Sequence, residues 1–315
     1  MRTAVAAGVL LVAICVVLTW LPAGVGLPLD RLPVVAQLTA FRVHLAVLAV
    51  AAAVVVAFVR PFSAVVLGVV GSISVATVFP QSSGPIGTGV ANLRVLTVNV
   101  GADSAHVEPL ADLIRQFRPD VIAMPEGSSV YAREIARLVG PGFDVFDDTI
   151  GTRSAATAGA TSLLIRSSLR PAVPVARLPL SLGTVTTTVT VAGHAVNVHA
   201  VHPNSPNLGS EATWDADLAA LVPPCRSDSP TVIAGDLNAT FNHSRFRELI
   251  GSGCRASGGT LSKLTGSWPN SVPAWLGVRL DQVLTAGPSI VSTEVWTVDV
   301  SGGQHRAVIA DLMVG

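Results

Sequence analysis

The sequence predicts an α+β protein in two regimes. Residues 1–91 read as a membrane anchor of about three helices, and residues 92–315 as one domain of two packed sheets with helices outside. The first observation is charge. Of 315 residues half are hydrophobic and 13% charged, against about 25% charged in an ordinary globular domain. The shortfall is local: residues 1–91 hold four Arg, no Lys and a single acid, Asp30, while the other 16 basic and 19 acidic residues all follow. The second observation is periodicity, since period-two apolar runs outnumber helical patterns beyond residue 92. High apolar content and only three Cys exclude a disordered chain, a collagen-like fibre and a disulfide scaffold. A formal balance of −3 over residues 92–315 disfavours a nucleic-acid binder held by bulk charge.

Three apolar runs open the chain, at 4–20, 43–59 and 62–80. At about 1.5 Å per residue each approaches a hydrocarbon core of roughly 30 Å, which predicts three transmembrane helices. A cleaved signal peptide is the competing reading of the first run. Arg2 precedes the first run and Arg60 lies between the second and third, so the positive-inside rule puts both on the cytoplasmic side. Arg31 and Arg42 oppose that orientation, weakened by Asp30 and a longer loop. The expectation is a cell-membrane protein whose domain, beyond about Ala91, is extracytoplasmic. Cys225 and Cys254 either bridge in an oxidising compartment or are two buried thiols.

Pro80 to Asn92 reads as a Gly/Pro/Ser linker. Strands are expected at 93–99, 120–124, 160–166, 185–191, 195–201, 231–235, 280–285, 290–298 and 306–312, and helices at 105–117, 129–139, 211–221 and 244–250. The residues able to do chemistry fall at strand ends: Asn99, Glu126, His202, Asp236, Asn238, Asp281 and His305. Strand ends gathered at one rim build a site from residues distant in sequence. Each has a blander reading. Asp236 and Asn238 suit a turn, and Glu126 suits a helix amino terminus. Alternation along Val196 to Val201 makes His199 structural, and Asn242 and His243 look like a helix start.

Glu126 within RPDVIAMPE, the run AVHPNSP, the segment AGDLNATFNHSRFREL, Leu280-Asp281 and the closing GGQHRAVIADL together resemble the endonuclease/exonuclease/phosphatase superfamily over nearly all of 92–315. The amino-terminal runs, the SLL at Ser162 to Leu164 and a chain with 19 Arg but only Lys263 resemble a membrane-anchored actinobacterial branch. The resemblance implies a four-layer α/β/β/α sandwich with mainly antiparallel sheets. It also implies metal-assisted attack of water on a phosphoester, with Mg²⁺ as cofactor and Mn²⁺ as its alternative. On this reading Glu126 and Asn99 are the metal residues. Asp236 orients or deprotonates water, Asn238 holds the phosphate in register, His202 donates to a phosphate oxygen, and Asp281 fixes the tautomer of His305. The choice of general base lies between Asp236 and His305. Three positions depart from the family pattern: Gln304 stands where an Asp is usual, Pro125 replaces Gln, and Gln282 replaces His. Gln304 motivates the alternative of a weakened or inactive envelope-binding module. The substrate expected of a tethered enzyme is a lipid headgroup phosphoester. Nucleic acid is disfavoured by charge, unless Arg153, Arg245, Arg247 and Arg306 cluster locally.

Overall fold

The structure is a computed structural model that describes residues 29–57, 61–76, 86–148, 159–172, 176–259 and 261–315, with the isolated positions 8 and 14. Apart from those two positions the expected 4–20 span lies outside the described residues, as do Cys15 and Arg153. The chain divides into two compact units.

The first unit comprises Met1–Ser82, Pro206–Ala212 and Thr240–Arg247. It holds helices α1 (Val35–Ala40), α2 (Arg42–Ala57) and α3 (Pro61–Ala76). Small residues let α2 and α3 pack closely, around buried Ala49, Ala53 and Leu67. Asp30, fully buried, accepts hydrogen bonds from the backbone N–H and hydroxyl of Ser244, and His243 Nε2 lies 2.9 Å from the Ala36 carbonyl oxygen. Of the spans expected at 43–59 and 62–80, positions 58, 59 and 77–80 lie outside the described residues. The described parts of α2 and α3 have 16 residues each, about 24 Å at the helical rise against a roughly 30 Å core. Among the described residues no helix is long and apolar enough to cross a membrane.

The second unit comprises Ser83–Ser205, Thr213–Ala239 and Glu248–Gly315. Its strands are β1 (Leu93–Thr97), β2 (Val121–Pro125), β3 (Phe143–Asp147), β4 (Thr161–Arg166), β5 (Thr184–Val191), β6 (His194–Val201), β7 (Thr231–Asp236), β8 (Arg255–Ala256), β9 (Asp281–Ala286), β10 (Ile290–Val298) and β11 (Ala307–Val314). The helices beyond residue 92 are α4 (Val107–Phe117), α5 (Ser129–Val139), α6 (Glu211–Ala219), α7 (Val222–Cys225) and α8 (Ser244–Gly251). Two sheets form, in the orders β10-β11-β1-β2-β4-β3 and β5-β6-β7-β9-β8. Both are mixed: β1–β2 and β6–β7 are parallel and the remaining pairs antiparallel.

Alternation assigns the two faces of each strand. Val95, Ala123, Leu163 and Ala310 of one sheet meet Val198, Val232 and Val283 of the other in the core between them. Their neighbours Leu96, Ile122, Leu164 and Ile309 turn outward onto Leu110, Ile114 and Ile135 of α4 and α5. A disulfide joins Cys225 to Cys254, with their Cα atoms 4.7 Å apart. This decides between the two readings of that pair. It closes a loop carrying β7 and α8.

Candidate active site

Strand direction gathers the site. In the parallel pair β1–β2 both carboxyl-terminal ends point the same way, which brings together Asn99 and Glu126, each just beyond its strand. The parallel pair β6–β7 does the same for His202 and Asp236. Strand β9 runs antiparallel to β7 in a register that sets Asp281 opposite Asp236. Strand β11 runs antiparallel to β1 and starts beside its end, which delivers His305. Gly235 permits the approach of β7 to β6: a Cβ there would lie 1.8 Å from the Val201 carbonyl oxygen. That explains the glycine of the Gly-Asp-Leu-Asn segment.

Asn99 joins the two sheets. Its Nδ2 donates to Glu126 Oε1 at 3.0 Å and to Asp236 Oδ2 at 2.9 Å. Its own Oδ1 accepts from Gly101 N at 2.9 Å, and its backbone N–H donates to Asp281 Oδ1 at 3.3 Å. In this arrangement its amide oxygen accepts from Gly101 and its amino group faces both carboxylates, so it organises the acids. Asp236 Oδ1 accepts from Asn238 N at 2.9 Å, and Asn238 Nδ2 donates to the Pro203 carbonyl at 3.2 Å, tying Asn238 to the segment after His202. His202 Nε2 stands 3.9 Å from Glu126 Oε1.

His305 Nδ1 is 2.7 Å from Asp281 Oδ2, and its Nε2 is 3.8 Å from Asp236 Oδ2. Asp236, Asp281 and His305 are all buried. Burial opposes a charge on the His305 ring, but the Asp281 and Asp236 carboxylates outweigh it and push its pKa up to about 9. In the metal-free chain the two carboxylates thus favour the protonated ring. With Glu126 it faces three carboxylates, an acid-rich pocket whose unbalanced negative charge and hard oxygen donors fit a divalent cation.

Several positioning groups gave no signal in the sequence. Ser267 Oγ accepts from the backbone N–H groups of Leu280 and Asp281, both at 3.0 Å, and so fixes the start of β9. Arg306, buried beside His305 in sequence, donates to Asp299 and to the carbonyls of Pro269, Asn270 and Val272. It holds the loop bearing Trp268 and is therefore occupied internally, unavailable to a basic groove. Gln304 uses its backbone carbonyl to accept from Asn270 N at 2.7 Å, and Gln282 donates to the Arg279 carbonyl at 2.9 Å. Neither disturbs the contact between Asp281 and His305. His199, on β6, is buried with its Nδ1 3.0 Å from Thr186 Oγ1, as a structural histidine would be. His243 and Asn242 lie in the first unit.

The profile of the Endonuclease/Exonuclease/phosphatase family matches residues 96–305. No curated protein sequence matches the chain. Among solved structures, an endonuclease/exonuclease/phosphatase from Beutenbergia cavernae is 20% identical, with a TM-score of 0.55 over 72% of each chain. TDP2 of D. rerio complexed with a single-strand DNA product is 15% identical with a TM-score of 0.55, covering 70% of this chain and 98% of its own. A mannosyl-6-phosphatase of Bacteroides thetaiotaomicron is 14% identical with a TM-score of 0.53, covering 70% of this chain and 99% of its own. These likenesses speak for the fold: a sandwich of two mixed sheets flanked by helices.

Proposed function

Because the chain belongs to the Endonuclease/Exonuclease/phosphatase family of phosphoester hydrolases, we propose that it is a membrane-anchored, divalent-metal-dependent phosphodiesterase or phosphatase whose site is the rim described above. The observation that carries this is the convergence of Glu126, Asp236 and Asp281 on Asn99, with His305 set against Asp281 and Asp236.

Glu126 would hold Mg²⁺ or Mn²⁺, and a cation bound there neutralises charge on the phosphoester and favours the transition state. Asp236, ordered by Asn99 and Asn238, accepts the proton of the attacking water. His305, its Nδ1 held by Asp281, faces the phosphate with Nε2 and donates to one of its oxygens. The oxygen of water bonds to phosphorus, the bond to the leaving oxygen breaks, and that oxygen takes up a proton from solvent water while Asp236 returns the one it accepted to solvent. His202 donates to the phosphate from the Glu126 side, and Asn238 fixes its orientation.

Anchoring and an extracytoplasmic location rest on the apolar runs of residues 1–80 and on the exposed Val47, Leu48, Val54, Val55, Val65 and Val69 of α2 and α3. They rest also on the disulfide, a mark of oxidising compartments. The same runs and the Lys-poor composition support the actinobacterial branch. A tethered enzyme meets lipid headgroups at high effective concentration, and the engagement of Arg306 removes one cation from any nucleic-acid groove. We therefore favour a lipid phosphoester over nucleic acid. The test is turnover by the full-length chain, with Mg²⁺ and with Mn²⁺, of phospholipids, single- and double-stranded DNA, and a simple phosphodiester. Lipid turnover that falls at least ~100-fold in Glu126→Ala and in His305→Ala is expected. Preference for DNA would overturn the substrate, and activity unaffected by either substitution would overturn the site.

A further inference from the structure

We propose that Asp103 is a positioning residue for Glu126 and thereby sets the affinity of the metal centre; the inference rests on the metal reading given above. The loop after β1 bends through three successive left-handed residues, Gly101, Ala102 and Asp103, at φ 60°, 52° and 67°. Glu126 is left-handed as well, at φ 58°. Only glycine adopts this region without steric cost, so non-glycine residues persist there where surrounding contacts over-determine them.

Those contacts converge on the Glu126 turn. Asp103 N donates to the Glu126 carbonyl at 3.2 Å, and Asp103 Oδ1 accepts from Ser128 N at 2.8 Å. The main chain on both sides of Gly127 is thereby held by one residue. Four positions earlier on the same loop, Asn99 holds the Glu126 carboxylate itself. Ser128 caps α5 by accepting from Tyr131 N at 3.1 Å, and the Tyr131 hydroxyl returns to the loop by donating to the Ala105 carbonyl at 2.9 Å. The loop and the turn thus form a closed ring of hydrogen bonds in which Asp103 is the one carboxylate that holds Glu126 through its backbone. Removal of its side chain frees the turn to relax from the left-handed geometry that aims Glu126.

The test is Mn²⁺ binding by calorimetry to the full-length chain and to Asp103→Ala, Asp103→Asn, Ser128→Ala and Glu126→Ala, with circular dichroism to report folding. Partners that orient a metal ligand are worth about 10- to 100-fold in affinity. Asp103→Ala is expected to weaken Mn²⁺ binding about tenfold while KM for a simple phosphodiester at saturating Mn²⁺ is unchanged. Asp103→Asn recovers the affinity, because its amide oxygen still accepts from Ser128 N and asparagine tolerates a left-handed backbone. Ser128→Ala, which removes the helix cap and keeps the N–H that Asp103 accepts, lowers stability without moving Mn²⁺ affinity. Wild-type affinity in Asp103→Ala, or equal losses in the Ala and Asn variants, overturns the role of Asp103 alone. If Glu126→Ala binds Mn²⁺ as tightly as wild type, the metal reading falls and this proposal with it.

Discussion

On the rim of the five-stranded sheet, Asp236 and Asp281 are strand residues paired in register, fully buried, with His305 locked against them. On the rim of the six-stranded sheet, Glu126 lies one residue beyond β2 in a left-handed turn and is partly exposed. The first rim owes its geometry to sheet pairing, which is cooperative and tolerates little displacement. The second owes it to a few side-chain bonds around a strained turn. Chemistry that moves a proton needs the fixed geometry, whereas a group that admits and releases a cation needs access to solvent. On the proposed mechanism, the division of labour between the rims follows from how each is built.

Substitutions that disturb sheet pairing therefore break the first rim at the expense of the whole fold. Gly235→Ala is expected to have the largest effect, because its Cβ would meet the Val201 carbonyl at 1.8 Å and neither backbone can yield without parting β6 from β7. A loss at or above the ~3 kcal/mol end of overpacking costs should appear in denaturant unfolding. Replacing both Cys225 and Cys254 by Ser reopens a loop of 29 residues around β7. Chain entropy sets that loss at about 3–4 kcal/mol, readable as a lower denaturant midpoint. Ser267→Ala leaves the N–H groups of Leu280 and Asp281 without their acceptor. It should cost about 1–3 kcal/mol and lower kcat through misplacement of Asp281.

The pH effects of two histidines differ in sign. His305, raised to about 9 when folded, starts from about 6.5 unfolded. Its stabilisation is complete below that value and lost as pH rises through about 9. His199, pushed down to about 4 by burial, favours the folded state above pH ~6.5 and gives that up as pH falls toward 4. Thermal melts of the metal-free chain should fall on both limbs. His305→Gln should flatten the alkaline limb and His199→Gln the acid one; the same alkaline slope in His305→Gln would contradict the assigned pair.

Most of the sandwich was legible because its strands alternate strongly and nearly every expected element formed within a residue or two. Strand β3 was not: Phe143-Asp144-Val145-Phe146-Asp147 breaks strict alternation, and all five of its residues are partly exposed at the sheet edge. The two-residue β8 is too short to carry a pattern. The seven candidate residues stand at strand ends in the sequence and gather at one rim in the structure, yet the orientation of Asn99 was not legible, since it depends on which groups surround its amide. Asp103, Ser267 and Arg306 act through partners up to dozens of residues away, and no local pattern marks such bonds.

Anomalous scattering from crystals of the full-length chain grown with Mn²⁺ addresses the central claim most directly. The expected result is a peak at coordinating distance from the Glu126 carboxylate, inside the pocket bounded by His202, Asp236 and His305. A peak elsewhere, or none at saturating Mn²⁺, would contradict a metal-dependent site at this rim.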